Sequence, residues 1–261
     1  MTTLSTEPAT SGLPRCLDSA AGAEQQLDRI STRTTGQTQK EATATVETII
    51  ERVRTEGDSA VMALTEQFDG FLPEPLRVPA AELHQAWESS PANLRDALEL
   101  AHRRVQDFHM RQKPQDIDVQ GIHGERLGRR WRPVQAAGLY VPGGRASYPS
   151  TVLMNAVPAR VAGVERLVMV TPAAANGQVN RTVLAAAHLA GVQEVYRIGG
   201  AQAVAALALG TETIPRVDVI SGPGNLYVTL AKKLVYGQVG IDSLAGPSEV
   251  LVIADGSACV G

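Results

Sequence analysis

"RLVMVTPAAANGQVNRTVLAAAHLAGVQEVYRIGGAQAVAALALG", Arg166 to Gly210, decides the fold. Two short apolar runs, RLVMV at Arg166 to Val170 and EVYRI at Glu194 to Ile198, are each followed by a turn and an Ala-rich segment. The turns carry Pro and Gly, and the segments predict helices at Val179 to Ala190 and Ala201 to Leu209. Strands that run in the same direction need a crossover, and a helix supplies it. The alternation therefore predicts a parallel sheet wound with helices.

The same grammar extends on both sides. Toward the C-terminus come VDVI (Val217 to Ile220), a helical pattern from Gly224 to Tyr236 and a last strand, EVLVI (Glu249 to Ile253). Toward the N-terminus come GLYV (Gly138 to Val141) and a helix from Ser150 to Ala162, which Pro158 is expected to kink or shorten. Before Gln135 the pattern is helical. Val46, Ile49, Ile50 and Val53 make one stripe, Gly57-Asp58 stops that helix with Asp58 as N-cap of the next, and a third helix follows Pro79. A long helix from Pro91 carries Leu94, Leu98, Ala101, Val105 and Phe108 on one face and ends at Lys113-Pro114. VQGIHGERLGRRWRPV, Val119 to Val134, reads as a hairpin.

The fold class is α/β: a helix-rich N-terminal part followed by a Rossmann-like parallel sheet wound with helices. By region, 1–39 is Thr-, Ser-, Gly- and Ala-rich and reads as a mobile arm, 40–133 is the helical segment plus hairpin, and 134–241 is the wound sheet. Residues 242–261 read as the start of a second α/β portion, cut short.

Composition limits the partners. With 24 Lys and Arg against 27 Asp and Glu, the net charge is -3 and no block of like charge appears, so neither a nucleic-acid groove nor a membrane surface is indicated. Cys16 and Cys259 stand at opposite ends without Cys-x-x-Cys spacing, which argues against a disulfide framework or a zinc knuckle. No apolar leader segment opens the sequence, and the expected location is cytoplasmic.

In a wound sheet, ligands gather at the carboxyl ends of the strands. Glycines fall there: Gly143-Gly144, Gly199-Gly200 and Gly222-Pro223-Gly224. They let backbone approach a ligand ahead of helix N-termini that attract anions, although turn geometry alone also uses Gly and Pro. Tyr227 stands where a Gly-x-Gly-x-x-Gly fingerprint needs its third glycine, and no Gly-Lys-Ser/Thr occurs, so the common nucleotide signatures fail. The polar residues among these turns are Tyr140, Gln202 and Asn225, whose hydroxyl and amides suit ribose and amide groups. Equally, Asn225 serves as a helix cap and Gln202 as a surface residue. Lys232 and Lys233 read as a solvated or C-terminal helix face. His84, His102, His109, His123 and His188 show no paired metal-ligand spacing, and Ser150, Ser221 and Ser248 lack a nucleophile elbow.

Four stretches, GLYVPGGRASYPSTVLMNAVPARVAGV, IGGAQAVAALALGT, DVISGPGNLYVTLAKKLVYG and IDSLAGPSEVLVIAD, closely resemble the histidinol dehydrogenase family from about Leu127 to Asp255. A looser likeness, including VRTEGDSAVMALTEQFDG, reaches back to about Ala42. The resemblance implies a zinc-dependent enzyme of histidine biosynthesis that oxidises L-histidinol through histidinal to L-histidine with two NAD, as a homodimer. By position in the matched motifs it implies that Tyr140, Gln202 and Asn225 contact NAD and that Ser248 contacts substrate. The family's zinc ligands and its catalytic Glu-His pair belong to a Ser-Gln-Ala-Glu-His helix and segments beyond the last matched motif. No catalytic residue and no metal ligand is thus assigned within this sequence, which ends GSACVG. The expectation is a C-terminally truncated dehydrogenase with little or no activity by itself, the alternative being a non-catalytic NAD-binding or dimer-interacting fragment.

Overall fold

The computed structural model describes residues 37–143 and 148–244, together with the helical positions Gly22, Glu24, Leu27 and Asp28. The chain forms two compact units, Met1–Glu41 and Ala42–Gly261. The predicted strand Glu249 to Ile253, and with it Ser248, Cys16, Cys259 and Gly144, lie outside the described residues.

Four helices come first: α1 (Gln37–Glu56), α2 (Asp58–Asp69), α3 (Ala80–Glu88) and α4 (Ala92–Gln112). A two-stranded hairpin follows, β1 (Ile117–Gln120) antiparallel to β2 (Arg126–Arg129), exposed on both faces. The wound region then runs β3 (Ala136–Tyr140), α5 (Pro149–Ala162), β4 (Arg166–Val170), α6 (Arg181–Leu189), β5 (Glu194–Tyr196), α7 (Gly200–Leu209), β6 (Val219–Ser221), α8 (Leu226–Val235) and β7 (Gly240–Ile241). The five strands pair in parallel in the order β5-β4-β3-β6-β7. The chain starts at β3 in the middle, winds outward through β4 and β5, and crosses back to β6 and β7. The reversal of winding therefore falls between β3 and β6.

Strand periodicity divides the core in two. Leu139, Leu167, Met169 and Val195 pack with α3, α4, α5 and α6 on one face, while Tyr140, Val168, Val170 and Tyr196 pack with α1, α2, α7 and α8 on the other. The N-terminal helices thus cover the wound sheet from both sides. Pro158 is accommodated within α5, which runs on to Ala162 and ends on the left-handed Gly163. Asp58 is the first residue of α2 and not its cap, which is Gly57 at φ 58°. Its carboxylate instead accepts from the hydroxyls of Thr211 and Thr213, and its amide donates to Glu212 Oε2 at 2.8 Å. The cap position is thereby tied to the loop after α7. No described helix is long and apolar enough to cross a membrane.

At the amino ends of β4 and β5, Arg166 Nε donates to Glu194 Oε1 at 2.7 Å, and the Tyr196 hydroxyl lies 3.0 Å from Glu194 Oε2. Burial pushes the Glu194 carboxyl up, but the hydrogen bonds from Arg166 and Tyr196 outweigh it and hold it below the ordinary range. Burial, reinforced by Glu194, pushes the Tyr196 hydroxyl up to about 12. Because the folded Glu194 pKa is depressed, its stabilisation is present above the unfolded glutamate pKa and is lost as pH falls through the folded value. Glu194→Gln is expected to cost about 1–2 kcal/mol at pH 7 in urea unfolding, with the difference closing below the ordinary glutamate range.

Candidate functional site

A cavity of about 500 Å³ opens outside the carboxyl end of β3. It brings Tyr140 at the end of β3 together with Gln202 in the first turn of α7 and Asn225 at the start of α8. The Gly143, Pro172 and Gly200 turns also line it, as do Phe68 and Asp69 from the end of α2 and Tyr227 from α8. The three residues that sequence reasoning places among the strand-end turns therefore share one wall. They do so because β3, β5 and β6 run in parallel and deliver their carboxyl ends to the same edge of the sheet.

Tyr140 is buried on the α7–α8 face, and its hydroxyl oxygen accepts from the Gly200 amide at 3.1 Å. Burial pushes this hydroxyl up, the Gly200 amide draws it partly back, and the charge of Asp69 pushes it up again. At neutral pH it keeps its proton and remains a donor. Asn225 caps α8 by accepting from Val228 N at 3.1 Å, leaving the amide nitrogen as a donor in the cavity wall. One of the two readings of Asn225, the cap, thus describes its oxygen, and lining the cavity does not compete with it.

Gln202 is not a surface residue. It is 1 % exposed, and its Oε1 is buried without a hydrogen-bond partner. A buried amide oxygen left unpaired costs free energy on the order of 1–3 kcal/mol, so its retention in a cavity wall points to a donor arriving from elsewhere. Gly200, at φ 64°, is the residue that leaves room for it, since a Cβ there would lie 2.6 Å from Gln202 Oε1.

Lys232 also departs from expectation. It is 4 % exposed, and its Nζ donates to the Gly222 carbonyl and, at 2.7 Å, to Asp242 Oδ1. Asp242 Oδ2 accepts from the Gly222 amide at 2.9 Å, so one ion pair grips both polar groups of the turn glycine. Burial pushes the Asp242 carboxyl up, but Lys232 and the amides of Gly222 and Ser243 outweigh it and hold it below the ordinary range. Ser221, at the end of β6, adds a hydrogen bond to Asn155 of α5. The signal for Lys232 is in the sequence: with Val228, Ala231 and Val235 it falls on the i, i+3, i+4, i+7 stripe that α8 buries. Lys233 is exposed, as a solvated face requires.

Sequence reasoning also passes over Phe68, Asp69 and Tyr227, because the first two arrive from α2, which ends at Asp69, far in sequence from β3, which begins at Ala136. His188 packs edge-on to His84 at 5.3 Å between α3 and α6, away from the cavity. Among the described residues no group of three or more His, Cys, Asp and Glu is placed to hold a metal ion.

The profile of the histidinol dehydrogenase family matches residues 32–260. The histidinol dehydrogenase of Prochlorococcus marinus (strain MIT 9313) is 69% identical over 250 residues, covering 96% of this chain and 57% of that protein. The one from Parasynechococcus marenigrum (strain WH8102) is 67% identical over 244 residues, covering 94% and 56%. Among solved structures, the crystal structure of histidinol dehydrogenase from Elizabethkingia anophelis superposes with a TM-score of 0.77 at 39% identity, over 82% of this chain and 50% of that one. The chain spans a little over half the length of the curated relatives it matches. With the family profile covering most of the sequence and identities this high, the chain belongs to the histidinol dehydrogenase family.

Proposed function

We propose that this chain supplies the NAD-binding portion of an enzyme that oxidises L-histidinol through histidinal to L-histidine with two NAD, working as a cytoplasmic homodimer. The observation that carries the reading is the unpaired, buried Oε1 of Gln202 in a cavity shared with Tyr140 and Asn225.

The described residues fit the dinucleotide. Tyr140 O–H and the Asn225 amide nitrogen offer donors, Gln202 Oε1 offers an acceptor, and the first turns of α7 and α8 offer free backbone N–H groups where a pyrophosphate is favoured. Tyr227 and Phe68, 45% and 51% exposed, offer aromatic faces for a flat ring. When bound, the nicotinamide supplies the hydride acceptor. Tyr140 and Gln202, both buried in the core, fix the cofactor's position, and Ser248 is proposed to contact the substrate. Zinc is different. The described residues provide no ligand cluster for it.

Calorimetric titration of NAD into the purified 261-residue chain tests the reading. Saturable binding is expected, with Gln202→Leu weakening it about tenfold through loss of the one hydrogen bond. Equal affinity for the variant would count against the cavity as the cofactor site. In a coupled assay with zinc and histidinol the same chain is expected to produce little or no NADH, and normal turnover would reject that part of the proposal.

A further inference from the structure

A second unpaired acceptor belongs to a residue that lines this cavity. Asp69 is the last residue of α2, immediately before the left-handed Gly70, and its Oδ2 is buried with no hydrogen-bond partner. The position is unfavourable for the bare protein on two counts. A carboxylate at a helix C-terminus meets the negative end of the helix dipole, and a desolvated anionic oxygen without a donor is costlier still. No cation relieves it: burial is the cause that pushes its carboxyl above the ordinary range, and no Lys or Arg is among the described residues lining the cavity. Tyr140, whose hydroxyl oxygen accepts from the Gly200 amide, and Gln202, whose Oε1 is itself unpaired, line the same cavity, and neither donates to Asp69 Oδ2.

We infer that Asp69 is a specificity residue, accepting a hydrogen bond from a ribose hydroxyl of the bound dinucleotide and excluding a dinucleotide phosphorylated at that hydroxyl. The inference rests on the reading of the cavity as the dinucleotide site. The chemistry follows from what an unpaired carboxylate can do. A ribose diol brings O–H donors, and a charge-assisted bond to a desolvated oxygen is among the stronger ones available. A 2′-phosphate brings no such donor and adds about two negative charges beside a carboxylate and a helix C-terminus, with no described cation in the wall to receive them. Gln202 does not make this distinction, because its amide is neutral. The charge of Asp69 is therefore the element that separates the two cofactors.

Calorimetry with NAD and NADP on the wild-type chain and on Asp69→Asn and Asp69→Ser tests it. The wild type is expected to bind NAD at least about tenfold more tightly than NADP. Both variants should weaken NAD about tenfold while leaving NADP unchanged or improved, so that the ratio closes. Asp69→Asn keeps the shape and removes a charge the unliganded fold does not pair, so its thermal midpoint without cofactor should equal or exceed that of the wild type. If NAD binds all three proteins with the same preference over NADP, the role of Asp69 is overturned while the cavity remains a dinucleotide site. If NAD fails to bind the wild type, or binds it unaffected by Gln202→Leu, the reading of the cavity fails and the inference falls with it.

Discussion

Gly222→Ala is expected to destabilise the fold by roughly 3 kcal/mol or more and to abolish dinucleotide binding. Gly222 has φ 126°, a backbone conformation that a side chain disfavours in its own right. Steric conflict adds to this. A Cβ there would lie 2.9 Å from the Tyr140 carbonyl carbon and 3.1 Å from its nitrogen, and closer still to its carbonyl oxygen. Tyr140 cannot step aside, because β3 is the central strand and is paired with β4 on one side and β6 on the other. The turn would have to move instead, and it carries Asn225 into the cavity three residues later. Urea unfolding should show the midpoint falling, and NAD titration of any folded fraction should show no binding. A variant within about 1 kcal/mol of the wild type would mean that the approach of the turn to β3 is dispensable.

How much of this is legible in the sequence depends on whether the information is local. The strand Arg166 to Val170 is predicted residue for residue, and α7 and α8 to within about two, because apolar runs and Gly or Pro turns are local signals. The parallel sheet follows from them. The order β5-β4-β3-β6-β7 is not visible in the same way, since nothing local in Val219–Ser221 says that it crosses back to pair with β3. The site divides along the same line. Tyr140, Gln202 and Asn225 announce themselves by standing beside strand-end glycines, whereas Asp69 and Phe68 reach the cavity only through the packing of α2 on α7. Asp58 misleads for the converse reason. Asp after a helix-stopping Gly is a good local cap signal, but Thr211 and Thr213, from far along the chain, claim its carboxylate.

Lys232→Met carries the second large expectation, a loss of about 2–3 kcal/mol. The loss falls below the upper range for a broken buried pair because Asp242 keeps 33% of its side chain exposed while Lys232 keeps 5%. Methionine fills much the same space on the buried stripe of α8, so the cost is electrostatic: Asp242 is left facing a low-dielectric interior, and the Gly222 carbonyl loses its donor. The sign with pH follows from the depressed Asp242 carboxyl. Its stabilisation in the wild type is present above the unfolded aspartate pKa and is lost as pH falls through the folded value. The gap between wild type and variant should therefore be widest at neutral pH and should narrow once the medium is acidic enough to protonate Asp242. Adding Asp242→Asn to Lys232→Met removes the stranded charge and should recover part of the loss, which a steric defect at position 232 would not allow. NAD affinity should follow the same order, wild type above the double variant and the double variant above Lys232→Met, because the ion pair holds the turn that presents Asn225. A single variant as stable as the wild type at pH 7, with undiminished NAD affinity, would show that the turn holds its place without Lys232.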